Sequence, residues 1–496
     1  MYLNYDLVIV GAGPAGLALA HYCSKILGMK RVLIIEKENT IGGCHAVHRV
    51  QNNLFSEHAP RVYVSTYVNF SDILNDINLP FKKLFKPMKF QSLDLAIPMV
   101  NSLKLRELYS LVYELVMFLF DESRGKQITV SEFMKQSKYS SESHRMIDTL
   151  CRLTDGATSE MFSMNTFLEN LNQNLLHRFY QSSEPNDVLL FNRWQKYLEH
   201  RGVTIMTSSR VERFHHNDNN YIQSCDIIRD NGQRSTIYAD KFVLAIPPAN
   251  IVPLIKQTGI INAFGDINVL QKWAYDTKYI EYICITFHWN KKIRMPDNYI
   301  FPSTEWLVHY VNLSDTMDFQ DDRSKTVLSI GVIDLNSKSN AIGKTANECK
   351  DRDELIKEIY RQLKTSIPNL TDDYIALLEP NTYYDEAKKS WCLRGTAYVS
   401  TIFSKPIPSN SRLYTNLYNL GTHNGKSIYK PTTFESAVSN SMALAREMYP
   451  ELKQTLKMKK AITLKEFLTW IAISIAILII IYYVVKRVHC CNKMKK

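Results

Sequence analysis

The chain has 496 residues, of which 45% are hydrophobic and 22% are charged. This length fits about two to four ordinary domains, and the composition excludes a wholly disordered chain. Lys and Arg outnumber Asp and Glu by 60 to 49, yet residues 451–496 carry +8 of the resulting net charge of +11. The remaining body is close to neutral and shows no basic patch, so we expect no nucleic acid as a partner.

The chain begins with a predicted strand that runs into a glycine-rich loop. Apolar residues 7–10 precede the loop, and a helix-like stretch follows it. The loop consists of Gly11, Ala12, Gly13, Pro14, Ala15 and Gly16. In this spacing the first glycine permits a tight turn, the second lets backbone amides approach a pyrophosphate, and the third allows the helix to pack closely on the strand.

A second predicted strand, residues 31–35, ends at Glu36. An acidic residue about 20 positions after the last glycine binds ribose hydroxyls and repels a 2′-phosphate, which disfavours NADP. The strand, glycine loop, helix, second strand and acid together predict a dinucleotide-binding α/β domain.

Further stretches extend this pattern along the chain. Lys37 leads into a glycine pair, Gly42 and Gly43. The other stretches are residues 202–214, 239–248 and 416–445. With them, the chain resembles the FAD-dependent amine oxidase and phytoene desaturase superfamily. The resemblance implies an α/β fold in which a Rossmann-like FAD-binding domain is interleaved with an α+β substrate domain, followed here by a C-terminal transmembrane helix.

The resemblance also implies how the domains divide along the chain. The FAD-binding domain would comprise residues 1–62, 186–262 and 411–450, and the substrate domain residues 63–185 and 263–410. The first substrate segment is predicted to be helical, because apolar residues recur at a helical spacing between Leu105 and Leu119. The second contains predicted strands at residues 282–289 and 326–333.

Several residues acquire FAD-binding roles only through the resemblance. Val211 would contact the adenine end through its backbone, and the glycine pair would lie against the diphosphate. Gly421 and Thr422 belong to the segment that presents the flavin. Glu435 matches a residue near the flavin, although Thr432 and Glu435 also fit a capping box for the last helix.

Two positions depart from the superfamily pattern around the cofactor. Cys44 stands where many relatives carry an arginine that meets the diphosphate, so Arg49 or Lys37 is the candidate for supplying that charge. Ala397 stands where monoamine oxidases carry the cysteine that is bonded to the flavin. Because an alanine cannot form a thioether, we expect the FAD to be bound non-covalently.

The resemblance points to a substrate site around the stretch that ends at Tyr398. Tyr398 matches one of two aromatic residues that sandwich the amine, where the face of a ring suits a substrate nitrogen. The partner position falls on Thr433, so only half of the aromatic cage is present. A lysine expected near the flavin is replaced at its candidate positions by Glu281 or Tyr282.

Three histidines near the glycine pair invite a metal-site hypothesis. His45, His48 and His58 are not accompanied by cysteines or carboxylates at a ligand spacing. We therefore predict no metal site.

These patterns favour an FAD-dependent oxidoreductase that transfers a hydride from a substrate C–H bond to the flavin, with a small-molecule amine as the favoured substrate. A desaturase or oxidase of a lipophilic, polyprenoid-like substrate is the alternative, because the amine cage is incomplete. A flavin protein without net redox turnover, such as a sugar-nucleotide mutase or a binding scaffold, is the alternative from another class.

The C-terminal region carries a predicted membrane span. Residues 467–485 are uncharged, and they would extend about 28 Å as a helix, close to the thickness of a bilayer core. A basic linker, residues 451–466, precedes the span and a basic tail, residues 486–496, follows it. Because no signal peptide is evident, we expect a single-pass, tail-anchored protein with a cytosolic body, in the mitochondrial outer membrane or the endoplasmic reticulum.

Overall fold

The computed structural model describes residues 3–461 except 175–176, 297–302, 396–397, 400, 403–405 and 430–431, and beyond them only 468–469, 471–473 and 476–477. Its helices are α1 Pro14–Ile26, α2 Val68–Asp76, α3 Phe81–Leu84, α4 Ser92–Ser102, α5 Leu105–Phe120, α6 Val130–Gln136, α7 Ser141–Asp155, α8 Met164–Asn174, α9 Asn192–His200, α10 Pro248–Gln257, α11 Ile267–Asp276, α12 Arg352–Ser366, α13 Phe434–Met448 and α14 Leu452–Thr455.

The strands come from both halves of the chain. They are β1 Leu3–Val10, β2 Val32–Ile35, β3 Val47–Val50, β4 Leu54–Glu57, β5 Tyr63–Val64, β6 Phe85–Pro87, β7 Phe179–Ser182, β8 Val203–Met206, β9 Ser209–His216, β10 Ile222–Arg229, β11 Arg234–Leu244, β12 Lys278–Tyr279, β13 Ile283–Trp289, β14 Val308–Asn312, β15 Thr326–Val332, β16 Ile375–Leu378, β17 Thr382–Asp385, β18 Ser390–Leu393, β19 Tyr398–Val399 and β20 Leu417–Asn419.

A mixed seven-stranded sheet forms the Rossmann-like core. Its order is β8-β2-β1-β11-β10-β9, and β20 pairs with β11. Strands β8, β2, β1, β11 and β20 are parallel, while β10 and β9 add an antiparallel edge. The strands of this sheet come from all three chain segments that the sequence assigns to the cofactor domain.

The second half of strand β1, residues 7–10, is entirely apolar because both faces of the sheet are covered there. Leu7 and Ile9 belong to one buried cluster with residues of α1 and α13. Val8 and Val10 point to the other face and pack with residues of α10 and α11. This two-sided burial explains why the strand shows a continuous apolar run rather than an alternating pattern.

The second domain combines a sheet with a helical cluster. Its four-stranded sheet has the order β14-β15-β13-β16, with α12 packed against it. The predictions of strands near residues 282–289 and 326–333 are confirmed by β13 and β15. The helical prediction is confirmed by α5, and α4 to α8 share one buried cluster. The same segment also contains a small sheet, β5-β7-β6, which was not predicted from the sequence.

The chain after α14 packs against the body. The backbone N–H of Lys459 donates to Asn69 Oδ1 at 2.9 Å, and the backbone N–H of Ala461 donates to the Tyr429 hydroxyl at 3.0 Å. No helix within the described part of the chain is long and apolar enough to cross a membrane. The predicted span, residues 467–485, lies mostly outside the described residues and stays a prediction.

Candidate functional site

The glycine loop between β1 and α1 has a geometry that only glycine allows. Gly11 has a φ of +110°, and a Cβ there would stand 2.4 Å from the carbonyl oxygen of Ala245. A Cβ on Gly16 would stand 2.1 Å from the carbonyl oxygen of Gly11. Gly13 caps α1, with Pro14 in its first turn. The loop thus packs tightly behind the N-terminus of α1, which is the end of a helix that favours anions.

Glu36 fixes this loop to the end of β2. Its Oε2 accepts the N–H of Ala12 at 2.7 Å, and its Oε1 accepts the N–H of Glu38 at 3.0 Å. Burial raises the pKa of Glu36, while these two N–H donors act in the opposite direction. The side chain still lines the cavity described below.

The second glycine pair lies directly on the first loop. The N–H of Gly42 donates to the carbonyl oxygen of Ala12 at 2.9 Å, and a Cβ on Gly43 would stand 3.1 Å from Gly13 Cα. Gly42 itself has a φ of +117° and faces the Phe191 ring, which a Cβ would approach to 2.8 Å. Gly42 therefore serves the packing of the two loops, whereas Gly43 faces the cavity.

An arginine that the sequence did not single out lies beside Cys44. Arg61 donates from Nη2 to the carbonyl oxygen of Cys44 and lines the cavity. Arg49 instead makes two hydrogen bonds to Asp187, at 2.8 and 3.0 Å, and is not a lining residue. Lys37 does line the cavity, 3.2 Å from Glu38 Oε1. Of the two expected candidates, Lys37 therefore lines the cavity and Arg49 does not, and Arg61 adds a second positive charge beside the glycine pair.

One cavity of about 860 Å³ joins the glycine loops to the second domain. This volume lies near the upper end of the range of about 300–1,000 Å³ that is typical of small-molecule sites. The predicted site residues that line it are Gly11, Gly13, Pro14, Ala15, Glu36, Lys37, Gly43, Cys44, Val211, Tyr398, Gly421, Thr422 and Thr433. Gly16, Gly42 and Glu435 are not among the lining residues.

Tyr398 and Thr433 both reach the cavity but differ in their surroundings. Tyr398 is buried on β19, opposite Tyr279 of β12, and its ring centre is 6.4 Å from that of His423 in an edge-to-face arrangement. Thr433 is the N-cap of α13, where its Oγ1 accepts the N–H of Ser436 at 3.1 Å. Thr433 thus has a structural role that does not depend on a substrate.

Glu435 has a role that the sequence did not predict. The expected capping box of Thr432 and Glu435 is wrong, because the box at the start of α13 is formed by Thr433 and Ser436. The buried Glu435 carboxylate instead accepts the N–H of Asn69 at 2.9 Å and that of Phe70 at 2.8 Å, in the first turn of α2. Its contacts therefore join α13 to the N-terminus of another helix and are directed away from the cavity.

A histidine and a carboxylate from different domains meet on the cavity wall. His48 Nε2 lies 3.2 Å from Glu379 Oε1, and both residues line the cavity. Asn381 donates to Glu379 twice, from its backbone N–H at 2.7 Å and from Nδ2 at 3.1 Å. The Nδ2 of Asn381 also lies 3.3 Å from His48 Nε2, so the three side chains form one polar group.

The other two histidines are buried in the same wall. Burial, with Arg61 nearby, holds the pKa values of His45 and His58 well below the usual range. Within the described parts of the chain, no group of three or more His, Cys, Asp or Glu side chains is arranged to hold a metal ion.

Comparisons with known proteins agree with this geometry. Residues 9–77 match the family described as an NAD(P)-binding Rossmann-like domain. The beta subunit of sarcosine oxidase from Rhodobacter capsulatus is 31% identical over 87 residues, which cover 17% of this chain and 20% of that subunit. The chain thus matches about a fifth of the length of that curated relative.

Solved structures match over nearly the whole chain. Cyclohexylamine oxidase from Brevibacterium oxydans superposes with a TM-score of 0.59 at 10% identity, covering 90% of this chain and 99% of that one. A putative protoporphyrinogen oxidase from Exiguobacterium gives 0.57 at 15% identity, with 90% and 99% covered. A putrescine oxidase gives 0.57 at 13% identity, with 91% and 100% covered. The chain has the fold of these oxidases. Its N-terminal part is a Rossmann-like dinucleotide-binding unit.

Proposed function

We propose that the protein is an FAD-dependent oxidoreductase that takes a hydride from a substrate C–H bond, with an amine as the favoured substrate. The proposal rests mainly on one observation: a single cavity is lined by the glycine loop, Glu36, Tyr398 and the His48–Glu379 pair. The fold of amine oxidases supports the same substrate class.

The residues present fit a dinucleotide. A Cβ at Gly11 or Gly16 would meet a backbone carbonyl oxygen, so the loop can lie this close to the start of α1 only with glycine there. The N–H groups at that helix N-terminus would bind the diphosphate. Glu36 would bind the ribose, and Arg61 would supply positive charge beside Cys44. When bound, FAD supplies an acceptor for two electrons and one hydrogen. Non-covalent binding rests on Ala397, which lies outside the described residues.

Two neighbours of His48 Nε2 bear on the tautomer of the ring: Glu379 Oε1, an acceptor at 3.2 Å, and the amide Nδ2 of Asn381, a donor at 3.3 Å. In the proposed reaction the hydrogen of the neutral ring is on Nε2, toward Glu379. Nδ1 then holds the lone pair. His48 would therefore act as the proton acceptor, with Glu379 holding its tautomer and orientation.

An amine substrate needs such an acceptor. An alkylammonium must lose a proton before a hydride can leave its α-carbon, because the departing hydride is assisted by the nitrogen lone pair. In the proposed reaction His48 Nδ1 takes that proton, and the aromatic ring of Tyr398 faces the substrate nitrogen. The products are an iminium and a protonated histidine.

A lipophilic substrate is the second candidate, and the composition of the cavity wall favours it. Phe90, Leu95, Leu153 and Phe179 line the cavity, and so does Tyr282, which with Glu281 is a candidate for the position where a lysine was expected from the amine oxidase pattern. Such a wall suits a polyprenoid-like hydrocarbon, whose desaturation also releases a hydride and a proton.

Anaerobic bleaching of the purified full-length protein tests the proposal. The protein, extracted in mild detergent, should show a flavin spectrum that bleaches on addition of amines or, for the second candidate, of polyprenoids. Bleaching by neither class would contradict the oxidoreductase and favour a flavin protein without net redox turnover. A colourless protein that cannot be reconstituted with FAD would contradict the cofactor.

For the location, we propose a single C-terminal span with the body on the cytosolic side, in the mitochondrial outer membrane or the endoplasmic reticulum. The uncharged residues 467–485 and their basic flanks support it. Protease treatment of sealed membranes tests the orientation, since a cytosolic body should be digested and a protected body would contradict it.

A further inference from the structure

The outer face of α4 and α5 is unusually apolar. It consists of Leu93, Ile97, Val100, Leu105, Tyr109, Val112, Tyr113 and Phe120, all of which are exposed. Leu105, Tyr109 and Phe120 expose 84%, 72% and 59% of their surface. Single exposed apolar residues are common, but a contiguous group on one surface marks an interaction site.

Helix α5 has a separate face for the protein core. Glu107, Leu111 and Phe118 point inward and are buried, so the exposed apolar residues are not needed for packing within the chain. The solvent side of a helix in a soluble domain is ordinarily polar. The outer face is thus apolar in addition to the core face, which indicates that something other than water covers it.

The C-terminal segment leaves the body beside this face. Lys460 forms an ion pair with Glu122, two residues beyond the end of α5. The backbone of Ala461 is held by Tyr429. Only five residues separate Ala461 from the uncharged stretch that begins at Phe467, and they span at most about 20 Å. Whatever the stretch enters therefore lies close to the end of α5.

We propose that the outer face of α4 and α5 lies in the interfacial layer of the bilayer that the C-terminal segment enters. The exposed lysines that precede α4 or separate it from α5 in the sequence, Lys82, Lys83, Lys86 and Lys104, suit anionic lipid headgroups. The inference rests on the proposed membrane anchor and is independent of the flavin chemistry.

This orientation has a consequence for the substrate path. Leu95 lies on α4 between the exposed Leu93 and Ile97, and its side chain lines the cavity. One helix therefore forms a wall of the cavity on one side and the membrane-facing surface on the other. A lipophilic substrate dissolved in the bilayer would then lie one helix away from the cavity.

Photolabelling from within the bilayer tests the proposal. The full-length protein is reconstituted into vesicles of phosphatidylcholine and phosphatidylserine that contain a lipid carrying a carbene-generating diazirine, and labelled peptides are identified by mass spectrometry. Helix α11 is the internal control, because Val269 and Tyr275 are also exposed there, at 69% and 85%. We expect peptides from residues 92–120 to be labelled about fivefold or more above those from residues 267–276.

Two double variants distinguish insertion of the outer face of α4 and α5 from nonspecific binding of the protein to the vesicle surface. Leu105→Glu with Tyr109→Glu should remove most labelling of residues 92–120, whereas Val269→Glu with Tyr275→Glu should leave it unchanged. Labelling confined to residues 467–485 would overturn the proposal while leaving the anchor intact, and labelling of neither region would overturn both. A dimer in detergent that Leu105→Glu dissociates would overturn it in favour of a second copy of the chain.

Discussion

His48 Nε2 lies 3.2 Å from Glu379 Oε1, so a histidine on β3 and a carboxylate that precedes β17 form one pair across the two domains. The Glu379 side chain is almost fully buried, at 1% exposure, whereas that of His48 is 25% exposed toward the cavity. A buried carboxylate behind a partly accessible imidazole is the arrangement that orients a histidine for proton transfer.

We expect His48→Gln to slow flavin reduction by an amine by about a hundredfold or more, because glutamine cannot accept the substrate proton. Glu379→Gln should give a smaller loss, since the imidazole remains but its orientation is less defined. Anaerobic stopped-flow bleaching measures both effects.

The matched control is a histidine with the same kind of partner outside the cavity. His215 Nε2 lies 2.7 Å from Asp226 Oδ2 on the cofactor sheet, and neither residue lines the cavity. His215→Gln should leave the bleaching rate unchanged. Equal effects of the two substitutions would contradict the role assigned to His48.

Glu36→Gln should weaken FAD binding by about tenfold to a hundredfold, because a hydrogen bond from a ribose hydroxyl to a charged carboxylate is stronger than one to an amide. The flavin content of the purified protein and the dissociation constant from fluorescence titration measure the loss. Glu38→Gln is the control, since Glu38 also lines the cavity but its carboxylate lies beside Lys37. Equal flavin retention in both variants would contradict the assignment of Glu36 to the ribose site.

Gly16→Ala should destabilise the protein by about 1–3 kcal/mol, because the added Cβ would stand 2.1 Å from the carbonyl oxygen of Gly11. The strain would displace the loop, so flavin content should fall together with the thermal midpoint. Gly331→Ala on β15 is the control, where a Cβ meets nothing within 4 Å. Unchanged stability of Gly16→Ala would show that the loop tolerates a side chain.

The cofactor domain was predictable because its signals are local. A strand that ends in an apolar run, a glycine loop and an acid after the next strand lie within the first 36 residues and form one unit. The small sheet β5-β7-β6 was not predictable, since Tyr63–Val64 is too short to show a period and its partner Phe179–Ser182 lies more than a hundred residues away. Such pairing is determined by tertiary contacts.

For the site, too, local motifs were predictable from the sequence and contacts between distant segments were not. Gly11, Gly13 and Glu36 belong to a motif whose spacing implies the chemistry, but the pairing of His48 with Glu379 depends on how two domains meet. The capping pattern failed for a different reason. Two overlapping starts fit α13, and Thr433 with Ser436 provides the cap that Thr432 with Glu435 was expected to provide.

Glu435 links three parts of the chain through one residue, Asn69. Its Oε1 accepts the backbone N–H of Asn69 at 2.9 Å, and the Asn69 side chain in turn contacts the backbone of Lys459. Burial raises the pKa of Glu435 to about 7, while the N–H donors of Phe70 and Asn69 act in the opposite direction. The group is 1% exposed, so solvent screens it little.

This raised pKa predicts a stability that falls as the pH rises. Between the unfolded pKa of about 4.3 and the folded value of about 7, the folded chain keeps a proton that the unfolded chain has released. The stability of the wild type relative to Glu435→Gln should therefore decrease by up to about 4 kcal/mol across this range. Thermal unfolding midpoints of both proteins at a series of pH values measure the difference.

Glu107→Gln provides a control of opposite sign. Burial of Glu107 is outweighed by hydrogen bonds from Lys104, Ser143 and Ser140, which hold the pKa of its carboxyl below the usual range. The folded chain then releases the proton before the unfolded one does, so the wild type should gain stability relative to Glu107→Gln as the pH rises toward about 4.3. The two variants should thus give pH slopes of opposite sign. Parallel slopes would show that Glu435 is ionised in the folded protein and that its N–H donors outweigh the cost of burial.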